Sequence, residues 1–236
     1  MEALIDFHSH VLPCIDDGSA SVEESVAMLR MEAAQGIRHV VATPHFYAQH
    51  DDPERFLTRR ARAEEVLRRE MAGQSGLPGI SIGAEVYFFR GMSDSELLPR
   101  LTIDEKSFIL IEMPPAPWPE AIYRELEAVW VKQGILPIVA HIDRYISPFR
   151  TYGIPQRLAE LPVFVQANGS FFLERSTASM ALKMLKADQI QLLGSDCHNL
   201  TSRKPNLDAA LERIRRKLGE KPLARIGACQ RRILDI

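Results

Sequence analysis

Short apolar runs alternate along this chain with stretches of helical periodicity, and that alternation limits the fold more than any single motif does. The first run holds Leu4, Ile5 and Phe7, and later ones cover residues 39–43, 80–86, 107–113, 136–140, 163–167 and 190–194. Between them, Val22, Val26, Leu29 and Ala33 mark a helix over residues 21–35, with Ser21 as N-cap, Glu24 at N3 and Gly36 beyond its end. Further helices are predicted over residues 53–71, 120–133, 178–187 and 207–218, with a shorter closing segment over 223–233. Strands that alternate with helices make βαβ units and a parallel sheet, and seven such strands close more readily than they stay open. The predicted fold is α/β, a distorted TIM-like (β/α)7 barrel, with residues 1–236 forming a single domain.

Composition narrows the function classes. A formal charge of −2 offers no general basic surface for phosphate backbones, so no nucleic acid is expected as a partner. Arg55, Arg59, Arg60, Arg62, Arg68 and Arg69 interleave with Glu54, Glu64, Glu65 and Glu70, the pattern of a solvated helix laced with ion pairs. Three cysteines without regular spacing argue against a disulfide framework and for a reducing compartment. The Met1-Glu2 start lacks the positive region and apolar run of a secretion signal, and no stretch nears the ~20 apolar residues that span a bilayer. A cytoplasmic protein without membrane insertion is expected.

In a parallel barrel, functional residues gather at the carboxyl ends of the strands. His8, His10, Asp17, His45, Glu85, Glu112, His141, Asp196 and His198 all fall at such ends or just past them, and they include five of the seven histidines. His8 and His10, two apart on a strand, should point to one side. FILIEM should bury Glu112, and a buried carboxylate needs a partner. His39 and His50 read as a structural and a solvated residue. The rival account, in which each strand merely finishes on a satisfied polar residue, suits one or two positions and not nine. Nine nitrogen and oxygen donors are too many for one tetrahedral zinc and suit two or three divalent ions such as Mn, Fe or Zn. Clustered ions of this kind activate water and clamp the oxygens of a phosphoryl displacement.

HSHVLPCIDDGS, TPH, GAEV, the strand-ending Glu112, AHIDRY and GSDCHN together resemble the polymerase and histidinol phosphatase (PHP) superfamily, and within it the bacterial metal-dependent tyrosine phosphatases of capsule and exopolysaccharide operons. The resemblance spans nearly the whole chain. It implies one ion held by His8, His10, Glu85 and Asp196, a second by Glu85, Glu112 and His141, and a third by Asp17, His45 and His198, with Glu85 as the bridge. Asp17 stands where many other members carry a histidine. Three departures are Cys14 for a glycine, Ile142-Asp143 for a Pro-Glu pair, and Cys197 for an alanine.

The implied activity is hydrolysis of phosphotyrosine on a protein such as a membrane-associated bacterial tyrosine autokinase, with Arg144 and Arg203 as phosphate clamps and Asp196 and His198 among the catalytic groups. Two alternatives keep the metals: a small-molecule phosphatase of the histidinol phosphate type, for which the rim at residues 116–119 and Tyr47 looks too open, and a nuclease. A third is a non-catalytic kinase-docking protein. Cys197 and Arg203 also fit the C-x5-R pattern of cysteine-dependent phosphatases, but the segment between them lacks glycine and acidic Asp196 is adjacent.

Overall fold

The computed structural model describes residues 4–235, so Met1 and Glu2 lie outside the described residues. In chain order the elements are β1 (Leu4–Ser9), α1 (Val22–Ala34), β2 (Ile37–Ala42), β3 (His45–Phe46), α2 (Pro53–Met71), β4 (Gly79–Ile82), β5 (Glu85–Tyr87), β6 (Phe108–Glu112) and α3 (Glu120–Gln133). There follow β7 (Leu136–Val139), α4 (Ile154–Leu158), β8 (Phe164–Asn168), α5 (Gly169–Leu173), α6 (Ala178–Lys186), β9 (Leu192–Gly194), α7 (Leu207–Leu218) and α8 (Lys221–Leu234).

The predicted strands are present, and two of them are broken. The second is interrupted at Thr43-Pro44 between β2 and β3, where proline has no N–H for the ladder. The third is interrupted at Gly83-Ala84 between β4 and β5. Backbone bonds carry both across the break: Gly83 N donates to Ala42 O and Glu85 N to Pro44 O, each at 2.9 Å. Every ladder is parallel, in the orders β1-β2-β4 and β3-β5-β6-β7-β8-β9. The ring closes from β9 back to β1, where Asp196 N donates to His8 O at 2.8 Å and His10 N to Cys197 O at 2.9 Å. This is the (β/α)7 barrel that the alternation predicts. The short helices α4 and α5 are not predicted, because five residues carry little periodicity and Gly153 and Pro155 read as a loop.

Inside the barrel, Phe7, Val41, Leu110, Ile138 and Leu192 come from five strands and pack with Ile103 and, at the far end of the chain, Ile233 and Leu234. A larger apolar layer lies between the strands and the helices. Helix α2 is laced as expected, Arg68 to Glu64 and Arg69 to Glu65 at 2.7 Å, but Arg59 and Arg60 instead donate to the backbone oxygens of Ile15 and Gly83 and so tie the helix to the barrel mouth.

The seam between β9 and β1 is tight. A Cβ on Gly194 would lie 2.6 Å from His8 Cβ and 3.0 Å from His8 N. Gly194→Ala should therefore push β9 away from His8 and cost roughly 1–3 kcal/mol. Urea unfolding measures this, and a midpoint equal to that of the wild type would show that the seam has slack.

Candidate metal centre

The barrel brings all nine predicted residues to its carboxyl-terminal mouth. His8, His10, Glu85, His141, Asp196 and His198 are buried, His45 and Glu112 are half-buried, and Asp17 is exposed on the loop after β1. Glu112 is thus less buried than its strand context predicts. Donor atoms of His10, Asp17, His45 and His198 lie within 4.8 Å of one another, as do those of His8, His10 and Asp196, of His8, Glu85 and His141, and of His45, Glu85 and Glu112. These groups overlap the three sets implied by the resemblance but divide the residues differently. His10 also joins the Asp17–His45–His198 group, His8 rather than Glu112 groups with Glu85 and His141, Glu85 is outside the His8–His10–Asp196 group, and Glu112, 3.8 Å from His141, groups with His45 and Glu85.

The imidazoles are aimed by their other ring atoms. His10 Nδ1 lies 2.7 Å from Asp16 Oδ2, His198 Nδ1 3.0 Å from the backbone oxygen of Asp196, His8 Nδ1 3.3 Å from Gln166 Oε1, and His141 Nδ1 3.2 Å from the Tyr145 hydroxyl. For His8, His10 and His198 the partner at Nδ1 is an acceptor, which fixes the proton there and leaves Nε2 with a free lone pair, whereas the Tyr145 hydroxyl, which accepts from Met113 N, can donate to His141 Nδ1. The Nε2 atoms of His8 and His10 then face each other at 3.2 Å. His45 is turned the other way, with Nδ1 2.9 Å from Glu85 Oε2 and Nε2 3.5 Å from Asp17. His141 and Asp196 hold left-handed backbone, φ 29° and 54°, a strain that non-glycine residues accept where surrounding structure imposes it. Cys14 does too, at φ 57°, where the resemblance has glycine.

The donor set fits cations better than it fits itself. Glu85 Oε2, His45 Nδ1 and His198 Nε2 are buried and make no well-aligned hydrogen bond among the described residues, although Glu85 Oε2 lies 2.9 Å from His45 Nδ1 and His198 Nε2 3.4 Å from Asp17 Oδ1. Orphaned polar atoms at this depth are costly unless something else satisfies them. Burial opposes ionisation of Glu85, yet the charge of His8 and contacts from His10, His141 and His45 hold its carboxyl well below the usual range. Asp196 is held down likewise by His8 and His10. Burial and the neighbouring His10 push His198 down to about 4, leaving its imidazole neutral and able to ligate at pH 7.

Two guanidinium groups border the cluster. Arg144 Nη2 lies 2.5 Å from Asp196 Oδ2 and Arg203 Nη2 2.8 Å from Asp196 Oδ1, and both side chains are more than a third exposed. Cys197 faces away: its thiol is fully buried beside Glu32 and Asp6, and burial and those carboxyls push it well above the usual thiol range. That is the opposite of what a phosphocysteine mechanism requires. Asp6, Glu32 and Cys197 form a further group of potential donors. Asp6 already accepts from Ser195 N at 2.8 Å and from His8 N at 3.1 Å, which makes it the latch of the β1–β9 seam.

The sequence reading misses Gln166, Tyr145 and Asp6, and it makes Asp16, in the acidic turn beside Asp17, a further potential ligand rather than the group that aims one. Asp16 Oδ2 also takes the His45 N–H at 3.0 Å, and the Gly18 N–H binds the other oxygen at 2.9 Å. Trp118 is not at an open rim: it is buried, its ring centroid 5.1 Å from that of Tyr145.

A parallel seven-stranded barrel whose mouth gathers five imidazoles and four carboxylates defines a class, the barrel proteins with a candidate multinuclear metal centre. Within it, the chain belongs to the CpsB/CapC family of capsular polysaccharide synthesis, whose family model matches residues 4–231. It is 29% identical over 228 residues to the tyrosine-protein phosphatase CpsB of Streptococcus pneumoniae, covering 92% of both chains. It is 27% identical over 229 residues to the tyrosine-protein phosphatase YwqE of Bacillus subtilis, covering 92% of this chain and 86% of that one. Among solved structures, it superposes with a TM-score of 0.84 and 22% identity on one from a study of YwqE and CpsB as metal-dependent tyrosine phosphatases, covering 98% and 94% of the two chains. The phosphotriesterase homology protein of Escherichia coli shares the fold at a TM-score of 0.58 and 11% identity, with 97% and 98% covered.

If Asp16 aims His10 and His45, Asp16→Ala should weaken metal binding by about 10–100-fold while the circular dichroism spectrum stays unchanged. Titration with manganese measures it, and an unaltered affinity would assign Asp16 to loop structure alone.

Proposed function

We propose that this protein is a metal-dependent phosphatase that hydrolyses phosphotyrosine on a protein, with two or three divalent ions of the Mn, Fe or Zn class held by His8, His10, Asp17, His45, Glu85, Glu112, His141, Asp196 and His198. The observation that carries this reading is the inward convergence of four imidazole nitrogens on the buried carboxylate of Glu85. Family membership and the names of the relatives support the substrate class. The phosphoprotein we favour is a membrane-associated tyrosine autokinase of capsule or exopolysaccharide synthesis, met in the cytoplasm. Among the described residues no helix is long and apolar enough to cross a membrane.

Bound ions would supply a nucleophile from water at neutral pH and offset the charge of the phosphoryl oxygens. Arg144 and Arg203, partly exposed and fixed at their Asp196 ends, would bind those oxygens from the rim. Asp196 thus has two tasks, as donor atom and as the anchor that orients both guanidinium groups. His198, neutral and with Nδ1 tied to the Asp196 backbone, keeps its lone pair turned into the site. A tyrosine phenol, with pKa ~10, leaves more easily than an alkyl alcohol, so a strong general acid is less necessary. The exposed mouth, with Asp17, Arg144 and Arg203 open to solvent, suits a protein-borne ester better than a small molecule that must be enclosed.

Assays with phosphotyrosyl, phosphoseryl and histidinol phosphate esters test the substrate class. The tyrosyl ester should be best, and another order would overturn the proposal, while no turnover of any ester by metal-loaded protein would favour the docking alternative. Chelator should abolish activity, added manganese should restore it, and Cys197→Ser should retain most of it. Chelator resistance together with an inactive Cys197→Ser would favour the cysteine mechanism. Glu85→Ala should lose more than one ion by elemental analysis and Glu112→Ala fewer, whereas equal single-ion losses would deny Glu85 the bridge. Arg144→Ala should lower turnover with metal content unchanged, and wild-type turnover would remove it from the phosphate site.

A further inference from the structure

A cleft of about 840 Å³ opens beside the metal centre, between the segments that follow β3, β5 and β6 and the first turns of α3. Its floor is apolar, made by Phe88, Phe89, Pro114 and Ile122, and its wall carries Arg90 and Glu125. The cleft is continuous with the site through the backbone. Phe88 N donates to the carbonyl oxygen of Glu112 at 2.8 Å, and Pro114 lies two residues beyond that carboxylate. On the other side, Ala48 of the lining follows Tyr47, whose ring centroid lies 5.4 Å from that of His45 and 5.7 Å from that of Tyr87. Tyr47 thus adjoins both the site and the cleft.

The two charged groups of the wall are unequally occupied. Glu125 Oε1 accepts from Ser93 N at 2.9 Å, so that carboxylate is engaged in holding the turn after β5. Arg90 is exposed and has no hydrogen bond or ion pair among the described residues. An apolar floor with one free guanidinium at its edge recognises an apolar side chain next to an acidic one.

We infer that this cleft is a specificity subsite for the polypeptide flanking the phosphotyrosine, taking an apolar residue on the Phe88–Ile122 floor and an acidic residue at Arg90. The inference rests on the phosphatase reading and adds to it a determinant of which tyrosines are chosen. Among the described residues Arg90 and Ala121, an exposed residue at the cleft edge, make no hydrogen bond or ion pair with the nine candidate donor residues, so the subsite can be altered without disturbing the metal centre.

The test compares free phosphotyrosine with two phosphotyrosyl peptides that share a leucine near the phosphotyrosine and differ by glutamate or lysine beside it. Metal-loaded wild type should hydrolyse the glutamate peptide with a kcat/KM about tenfold above that of the lysine peptide, the size of one well-placed charge contact. Arg90→Glu should erase or invert that preference, and Ala121→Trp, which fills the cleft, should lower kcat/KM for both peptides about tenfold. Free phosphotyrosine should change less than about twofold in either variant, which also reports that each is folded and metal-loaded. Peptides no better than free phosphotyrosine in the wild type, or variants that leave the glutamate-to-lysine ratio and the peptide rates unchanged, would overturn the subsite while leaving the phosphatase reading intact. A wild type that hydrolyses none of the three would overturn both.

Discussion

The structure depends on one buried carboxylate. Glu85 sits at the start of β5, 2.6 Å from His141 Nε2, 2.9 Å from His45 Nδ1, 3.2 Å from His8 Nε2 and 3.4 Å from His10 Nε2. Burying a charge of this kind costs several kcal/mol unless partners surround it, and a carboxylate ringed by four imidazoles is stable only while the ring carries positive charge. Protons supply that charge in part: burial resists it, but Asp16, Asp196 and Glu85 raise His10 well above the usual imidazole range. On the proposed function, bound cations would supply it more fully.

The interrupted strands place this group. The break at Gly83-Ala84 ends β4, and the ladder resumes at Glu85, paired with His45 where β3 resumes after Pro44. Both breaks lie at the same height of the barrel, so His45 and Glu85 are brought opposite each other by backbone register. On the far side, Asp6 ties His8 to Ser195, and β9 then delivers Asp196 and His198 across from Glu85. Glu32 packs behind this latch, and burial and Asp6 raise its carboxyl well above the usual range, so it holds a proton more tightly than an exposed acid. Burial raises the Asp6 carboxyl as well, so the two acids compete in one buried pocket behind the seam.

Much of this was legible in the sequence because barrel strands impose a simple rule: residues just past an apolar run face a common mouth. His8, His10, His45, His141 and His198 stand out on that rule alone, and Asp17 by its place in a tight turn. What supports them was not legible. Gln166 lies inside β8 and reads as an ordinary strand residue, yet it bonds His8 Nδ1 and the His141 N–H, partners 158 and 25 residues away. Tyr145 and Asp6 act through contacts that exist only once β6, β7 and β9 are in register. Positions of donors follow from local pattern, whereas the atoms that aim them follow from closure of the ring. The short helices α4 and α5 escaped for a related reason, since tertiary packing rather than periodicity makes them helical.

The central claim is that Glu85 is shared between cations to which the surrounding imidazoles are aimed. Anomalous diffraction at the manganese edge from manganese-loaded crystals tests it most directly. The account predicts at least two peaks flanking Glu85, one on each carboxylate oxygen, with His8 and His141 nitrogens among the nearest atoms. Peaks that avoid Glu85, or a single ion confined to Asp6, Glu32 and Cys197, would contradict it.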